Sequence, residues 1–224
     1  MEKIVKKIKI NTTLRLLTGL HIGGSKDNVE IGGIDSPVIK IATCNSDNKK
    51  DLQPYIPGSS LKGKMRCLLE QVKGCKLGED QQVSSLFGSA ANKPSRLIVR
   101  DAYLTKDSQQ RLLRSDTDMP YTETKYENTI DRVTGTTING GIRQIERIPA
   151  NAEFAVEFII NVIKEDSGET NEEMAYKMLQ DAIHLLENDY LGGSGSRGYG
   201  QVKFGELKRI DLSPENNWNA NGNA

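Results

Sequence analysis

A chain of 224 residues suits one large domain or a small domain with insertions, and its 30 basic and 30 acidic residues balance, so overall charge does not indicate nucleic acid. The three cysteines contain no CxxC pair and only two histidines accompany them, which excludes a zinc framework and suits a reducing cytoplasm. No apolar run reaches the length of a membrane span, and the charged amino-terminal segment does not resemble a signal peptide. We therefore expect a cytoplasmic protein with no membrane partner.

The first third of the chain predicts a strand, a long loop and a helix. Apolar and polar residues alternate over 7–16, which predicts a half-buried strand. A second, short strand is predicted over 38–41, and the polar stretch 42–53 is predicted to be an exposed connection. A helix begins near Ser59 or Ser60, because either side chain can cap it.

The rest of the chain repeats this alternation. A short helix ends at Gly88, and a strand follows over 96–104. The most apolar run, 153–163, predicts a central strand. A helix with acidic residues in its first turn begins near 170, and 201–210 alternates as the last strand.

This order of elements predicts the fold class. Strand, helix, strand, insertion, strand, helix and strand is the βαββαβ order, so we expect an α+β, ferredoxin-like or RRM-like protein with inserted loops. Both helices would cover one face of an antiparallel sheet, and the other face would be open for a partner or an RNA strand. One RRM-like domain is predicted over 1–212, followed by a disordered tail over 213–224.

The insertion predicts a protruding β-hairpin at about 124–149. Asn139-Gly140 between two extended segments is a strong signal for a hairpin turn. The arms are rich in threonine and charge and poor in core residues, so the hairpin is marginally stable alone. We expect it to dock on a partner.

A glycine-rich stretch from Leu20 to Pro37 carries the candidate catalytic group. Its four glycines in eleven positions can bring the backbone close to a ligand, and Asp35 is the carboxylate at its end. Pro37 restricts the residue before it to an extended conformation, so the chain is fixed just after Asp35. From this stretch alone, a turn in which Asp35 is only a cap is the simpler interpretation.

Two further features could bind phosphate. Lys62, Lys64 and Arg66 lie near the start of the first helix, where cations oppose the macrodipole unless an anion also binds, although a solvated basic face explains them equally well. The loop Gly192–Gly200 offers many backbone N–H groups, and its Arg197 can fork onto a phosphate. Tyr199 could stack on a base. The GxGxxG spelling in this loop does not indicate a dinucleotide site, because a helix precedes it and a strand follows.

The chain contains no P-loop, no HExxH, no GxSxG and no tight acidic cluster for a two-metal nuclease. If it cleaves a phosphodiester, RNA is the substrate that needs few protein groups, because its own 2′-OH is an internal nucleophile. A single carboxylate could then act as general base or hold one hydrated metal ion. Asp35 suits either role.

Six short motifs occur in this chain in the same order as in a known protein family. Each motif alone is a weak signal, but the six together are specific. Their combination resembles the RAMP superfamily and, more closely, the repeated backbone subunit of type III-A CRISPR effector complexes, from the first strand to about Leu212. The polar insertion Thr43–Leu52 departs from that pattern because it is longer than expected. The motifs are Leu20–Gly24, Ile34–Pro37, Ile56–Arg66, Leu86–Gly88, Glu127–Arg132 and the loop Gly192–Gly200.

The resemblance implies a palm with a β-hairpin thumb, and an RNA-guided endoribonuclease of antiviral defence that needs a divalent metal ion, Mg²⁺ or Mn²⁺. It would bind guide RNA and cut complementary target RNA at regular intervals, with Asp35 as the catalytic residue and metal ligand. Its partners would be further copies of itself, the large polymerase-like subunit, the small subunit and the end-capping RAMP subunits. Residues and resemblance together give these RNA-binding candidates: His21, Gly23, Gly24, Ser59, Ser60, Lys62, Lys64, Arg66, Arg132, Gly193, Gly195, Ser196, Arg197 and Gly198.

Two alternatives remain open at this point. The chain could be a non-catalytic scaffold that only coats RNA while another protein cuts. It could also be a nuclease that processes repeat RNA, for which His21 is the only plausible general base.

Overall fold

The structure is a computed structural model of the chain and describes residues 3–24, 36–44, 50–76, 78–89, 94–115, 117, 119–164 and 172–216. The predicted catalytic residue Asp35, the predicted helix start near 170 and the predicted tail beyond 216 lie outside the described residues.

Strands and helices alternate through the described part of the chain. The strands are β1 (Ile4–Leu16), β2 (Lys40–Cys44), β3 (Lys50–Ile56), β4 (Leu97–Val99), β5 (Ala102–Leu104), β6 (Glu123–Ile130), β7 (Thr137–Arg147), β8 (Glu153–Ile163), β9 (Val202–Phe204) and β10 (Lys208–Leu212). The helices are α1 (Gly58–Lys73), α2 (Gln81–Phe87), α3 (Lys106–Arg114) and α4 (Glu172–Glu187), with short 3₁₀ turns at Gly195–Arg197 and Pro214–Asn216. None of these helices is long and apolar enough to cross a membrane.

An antiparallel sheet is the centre of the molecule. Its strands run in the order β10-β1-β8-β5-β3-β2, with β4 also paired to β8 and β9 to β1, and all these pairs are antiparallel. Alternate residues of β1, such as Ile8, Ile10 and Leu14, are fully buried because α1 and α4 cover that face. The predicted strands over 7–16 and 153–163 and the α+β composition are therefore confirmed.

The polar stretch 42–53 was expected to be an exposed connection, and that prediction was wrong for its described residues, 42–44 and 50–53. β2 and β3 pair as a hairpin at the edge of the sheet, with Lys40 opposite Pro54. Polar side chains here find protein partners: the Tyr121 hydroxyl and the Gln53 amide both donate to the Asp51 carboxylate, over 2.6 and 2.7 Å. Tyr121 lies 70 positions from Asp51, so local polarity could not reveal this partner.

The start of α1 also differs from the prediction. Neither Ser59 nor Ser60 caps the helix, since Pro57 occupies the N-cap position without a side-chain hydrogen bond. The Gly58 N–H instead donates to the Asp101 carboxylate over 2.8 Å. A Cβ on Gly58 would lie 2.2 Å from the Val99 carbonyl oxygen, so only glycine allows the helix to begin this close to β4.

We expect Asp101→Ala to lower the free energy of unfolding by about 1 kcal/mol, because it removes the only side-chain acceptor described at this helix start. Urea denaturation of the full chain measures this loss. Ser59→Ala is the matched control and should leave the midpoint unchanged. A larger loss for Ser59→Ala than for Asp101→Ala would contradict the assignment.

The predicted hairpin exists as a separate two-stranded sheet of β6 and β7, which we call the thumb. Its turn is not at Asn139-Gly140, as expected, but at 131–136, where the Asp131 carboxylate accepts from the N–H groups of Val133 and Thr134 over 2.7 and 2.9 Å. Asn139 and Gly140 lie in an irregular part of β7. The aspartate turn closes the hairpin instead of the Asn-Gly pair.

Candidate nucleic-acid interface

The two described ends of the glycine-rich stretch from Leu20 to Pro37 are hydrogen-bonded to each other. The Gly24 N–H donates to the Pro37 carbonyl over 3.0 Å, and the Ile39 N–H donates to the Ile22 carbonyl over 2.8 Å. A Cβ on Gly24 would lie 3.2 Å from the Ile39 Cα, so a glycine lets the two ends approach. The residue that follows Asp35 in the chain is therefore attached to this closed base.

His21 lies half-buried at the same base and contacts the second glycine loop. Its Nδ1 donates to the Glu146 carbonyl over 2.7 Å, which leaves the lone pair of the neutral ring on Nε2. The His21 carbonyl accepts from the Gly193 N–H over 2.8 Å. The structure thus brings His21, Gly23 and Gly24 together with Gly193, which is far from them in sequence.

The second glycine loop, Gly192–Gly200, forms a tight surface turn next to an open, polar cavity of about 470 Å³. Ser194 and Gly198 take left-handed backbone conformations on either side of the turn Gly195–Arg197. Ser196 and Gly198 are exposed. Arg197 is also exposed: its Nη2 donates to the Ser194 hydroxyl over 2.5 Å, and its Nε lies 3.5 Å from a Glu127 carboxylate oxygen. These groups are accessible to a phosphate.

Tyr199 is not available to stack on a base, because only 1% of it is exposed. The Lys125 ammonium and the Arg147 guanidinium lie 4.5 and 5.2 Å from its ring centroid. Burial, followed by the nearby Glu127 carboxylate, raises the pKa of Tyr199 to about 12, so the hydroxyl is protonated at neutral pH. The ring fixes the base of the thumb to the glycine loop.

The three candidate basic residues of α1, Lys62, Lys64 and Arg66, all contact other groups of the protein. The Lys62 ammonium donates to the Ser95 hydroxyl and the Leu97 carbonyl over 2.5 and 2.9 Å. Burial, with a contribution from Arg66, lowers the pKa of Lys62. Arg66 Nε lies 3.0 Å from a carboxylate oxygen of buried Glu70. These internal partners were not apparent from the sequence.

Lys64 is the member of this set that reaches the second glycine loop. Its ammonium lies 3.2 Å from a carboxylate oxygen of Asp189 and 3.8 Å from the centroid of the Tyr190 ring. A Cβ on Gly195 would lie 1.9 Å from that same ring, so the loop packs on the tyrosine that Lys64 covers. Lys64, Tyr190 and Gly195 therefore form one continuous surface.

The remaining candidates are Ser59, Ser60 and Arg132. Ser59 and Ser60 lie in the first turn of α1, exposed and half-buried respectively. Arg132 is exposed in the turn of the thumb, at the opposite end from the base that contacts Tyr199. Exposed apolar side chains accompany it, including Val133 at 95% exposure, so the outer part of the thumb can bind a partner.

The described residues include no group of three or more histidine, cysteine, aspartate or glutamate side chains that could hold a metal ion. A Mg²⁺ ion, however, commonly needs only one or two protein carboxylates and completes its shell with water and substrate phosphates. Asp35 lies outside the described residues, so the donor set that the sequence suggests remains a prediction.

The sequence pattern of the RAMP superfamily matches residues 13–203 of this chain. These residues include the main sheet from within β1 to within β9, both glycine loops and the thumb. The chain therefore belongs to the RAMP superfamily.

Individual relatives show to which family within this superfamily the chain belongs. The Csm3 endoribonuclease of Streptococcus thermophilus is 46% identical over 210 residues, which cover 90% of this chain and 89% of that protein. A crystal structure of a Csm3–Csm4 subcomplex in the type III-A CRISPR-Cas interference complex covers 95% of this chain and 83% of that chain, with a TM-score of 0.53 at 25% identity. Within the superfamily, the chain belongs to the Csm3 endoribonuclease family.

A third similarity concerns the fold alone. A cryo-EM structure of the type III-B Cmr-beta complex bound to cognate target RNA contains a chain with a TM-score of 0.60 at 17% identity. The match covers 92% of this chain and 61% of that chain.

Proposed function

We propose that this chain is the repeated backbone subunit of a type III-A CRISPR ribonucleoprotein, which binds guide RNA and cleaves complementary target RNA at regular intervals. The observation that carries this function is the 46% identity to an endoribonuclease over nearly the full length of both chains. Its partners are guide RNA, target RNA, further copies of itself and the other subunits of the complex. We place this assembly in the cytoplasm.

We infer an RRM-like palm with a β-hairpin thumb. Strand order supports the palm: β9 and β10 flank β1, β8 follows, and β4 and β5 flank β8 on its other side. If the split strands are each counted once, the order is 4-1-3-2, with α1 and α4 as the two helices of a βαββαβ unit. The thumb is an insertion between the second and third of these strands.

The arrangement suggests which residues bind RNA and which residue acts in cleavage. Lys64 and the second glycine loop offer cationic and N–H groups to the phosphates of a guide RNA, and His21 lies against that loop. Asp35 follows the first glycine loop, whose closed base lies beside His21. Because the RNA 2′-OH is an internal nucleophile, a carboxylate can take its proton while the backbone is held for in-line attack. The 2′-oxygen then bonds to phosphorus as the 5′-oxygen leaves and takes up a proton from water.

We also propose that the reaction needs a divalent ion, Mg²⁺ or Mn²⁺, with Asp35 as its protein ligand. Such an ion would supply charge stabilisation at the phosphoryl oxygens. The absence of a preformed three-ligand cluster among the described residues agrees with an ion held partly by the RNA itself.

The decisive experiment assembles the full chain with its partner subunits and a guide RNA, and adds complementary or scrambled target RNA with Mg²⁺. We expect evenly spaced cuts in the complementary target alone. An assembled complex that binds the target and leaves it intact would instead support the scaffold alternative. Cleavage of free repeat RNA by the isolated chain would support a processing nuclease.

The contribution of Lys64 to guide binding is separately testable. Lys64→Glu should weaken guide RNA binding without sequence preference and reduce the slope of log K against log salt by about 0.7 for a lost contact to a single strand. Fluorescence anisotropy at several salt concentrations measures the slope. Lys106→Glu, on exposed α3, is the matched charge-reversal control. Equal slopes for the two variants would contradict a Lys64–phosphate contact.

A further inference from the structure

Glu146 is a buried carboxylate with three partners, at the base of the thumb. Only 2% of it is exposed. The Lys40 ammonium lies 2.5 Å from its Oε1, to which the Thr122 hydroxyl also donates over 2.6 Å. The Val38 N–H donates to its Oε2 over 2.9 Å. Every oxygen of this carboxylate is therefore bonded within the protein.

The hydrogen bonds of the Glu146 backbone depart from the regular parallel pattern. Ser36 and Ile145 form a parallel bridge, and the Glu146 N–H donates to the Ser36 carbonyl over 3.1 Å. A regular parallel ladder would continue with a hydrogen bond from the Val38 N–H to the Glu146 carbonyl. Here the Glu146 carboxylate replaces its own carbonyl as the acceptor, and the carbonyl accepts from His21 Nδ1 instead.

One residue thus fixes two parts of the candidate site. Its N–H and its carboxylate hold Ser36 and Val38, which flank Pro37 directly after Asp35 in the chain. Its carbonyl sets the tautomer and orientation of His21. No other described residue bonds both the chain after Asp35 and the His21 ring.

We propose that Glu146 is a positioning residue for target RNA cleavage, which fixes Ser36 and Val38, the residues just after Asp35 in the chain, relative to His21. This inference rests on the proposed function. Stability alone is a weak explanation for the residue, because apolar groups of similar volume often replace buried ion pairs at no cost in stability. Glu146 itself does not contact the RNA.

The test compares Glu146→Ala and Glu146→Gln in the assembled complex. A misplaced catalytic group can cost about 100-fold in rate, so we expect Glu146→Ala to lower the single-turnover cleavage rate by about 10- to 100-fold. Target affinity should stay within about threefold of the wild type, because the change affects positioning and not binding. Glutamine retains a carbonyl oxygen for the Val38 N–H, and Lys40 can turn toward water, so Glu146→Gln should recover most of the rate.

A second measurement does not depend on activity. Hydrogen exchange of the peptide 36–40 in the full chain should be slow in the wild type, faster in Glu146→Ala and restored in Glu146→Gln. Glu123→Ala is the matched control, because it removes a carboxylate that pairs with Arg147 at the same thumb base, over 2.6 Å. It should change neither the exchange of 36–40 nor the cleavage rate.

Three outcomes would overturn the proposal. They are wild-type cleavage by Glu146→Ala, equal losses in Glu146→Ala and Glu123→Ala, and, if Glu146→Ala does not assemble, unprotected exchange of 36–40 in the wild-type chain. Failure of the proposed function looks different. It would appear as an intact target with wild-type protein, whereas a cleaving wild type with an unaffected Glu146→Ala would remove the positioning role alone.

Discussion

Asp35→Ala should reduce target RNA cleavage by about 10³-fold or more, because it removes the carboxylate that we propose as general base or metal ligand. Among the residues that the structure describes, no group of three or more histidine, cysteine, aspartate or glutamate side chains could hold a metal ion in its place. Target affinity should be retained, since phosphate contacts from lysine, arginine and backbone N–H groups carry RNA binding. Single-turnover cleavage and equilibrium target binding by the assembled complex measure the two effects separately.

Asp107→Ala provides the control for this prediction. Asp107 is an exposed carboxylate in the first turn of α3, so its loss changes net charge by the same amount as loss of Asp35. It should cleave like the wild type. Asp35→Ala that cleaves at the wild-type rate would exclude Asp35 as the catalytic group, and parallel loss of binding and cleavage would indicate a role in RNA binding.

Sequence periodicity predicted the parts of this fold that depend on local pattern. The strand over 7–16 was found because its apolar residues alternate and face one buried layer. The strand over 153–163 was found because its apolar run suits a buried strand in the centre of the sheet. The helix that ends at Gly88 was found because glycine stops it. In each case the physical cause lies within a few residues of its effect.

The features that the sequence predicted wrongly depend on residues that are far away in the chain. Asp101 caps a helix that begins 43 positions earlier, and Asp51 receives a hydrogen bond from Tyr121, 70 positions later. The sequence therefore misassigned the cap of α1 and the polar stretch 42–53. Long-range partners of this kind become visible only once the sheet order is known.

In the candidate site, too, the sequence predicted features with local causes and missed those that depend on distant residues. The glycine loops were recognisable because close backbone approach demands glycine, and His21 does meet Gly193. From the sequence, by contrast, Lys62 looked the same as a lysine that is free to bind phosphate. The structure shows that its ammonium is bonded to Ser95 and Leu97 instead. Glu146 was missed because, in a strand as charged as β7, a buried glutamate has the same local pattern as an exposed one.

Gly200→Ala should be among the most destabilising single substitutions in the second glycine loop. Gly200 has φ of +71°, which disfavours any L side chain, and an added Cβ would lie 1.9 Å from the Leu191 carbonyl oxygen. That carbonyl cannot easily move, because Leu191 is 1% exposed and its N–H is bonded to the Gly200 carbonyl over 2.9 Å. We expect a loss of about 3–5 kcal/mol in the free energy of unfolding, and loss of guide binding with it.

Gly198→Ala is the matched control, because its φ of +87° imposes the same backbone cost while nothing lies within 4 Å of the added Cβ. It should lose only about 1–2 kcal/mol, the cost of a left-handed conformation. Thermal unfolding and guide RNA binding should be measured for both variants. If both lose the same stability, the close approach of Gly200 to Leu191 is not what limits the loop. Because Gly198 is exposed at the predicted phosphate site, Gly198→Ala should still weaken guide binding in a folded chain, and full affinity would exclude Gly198 from that contact.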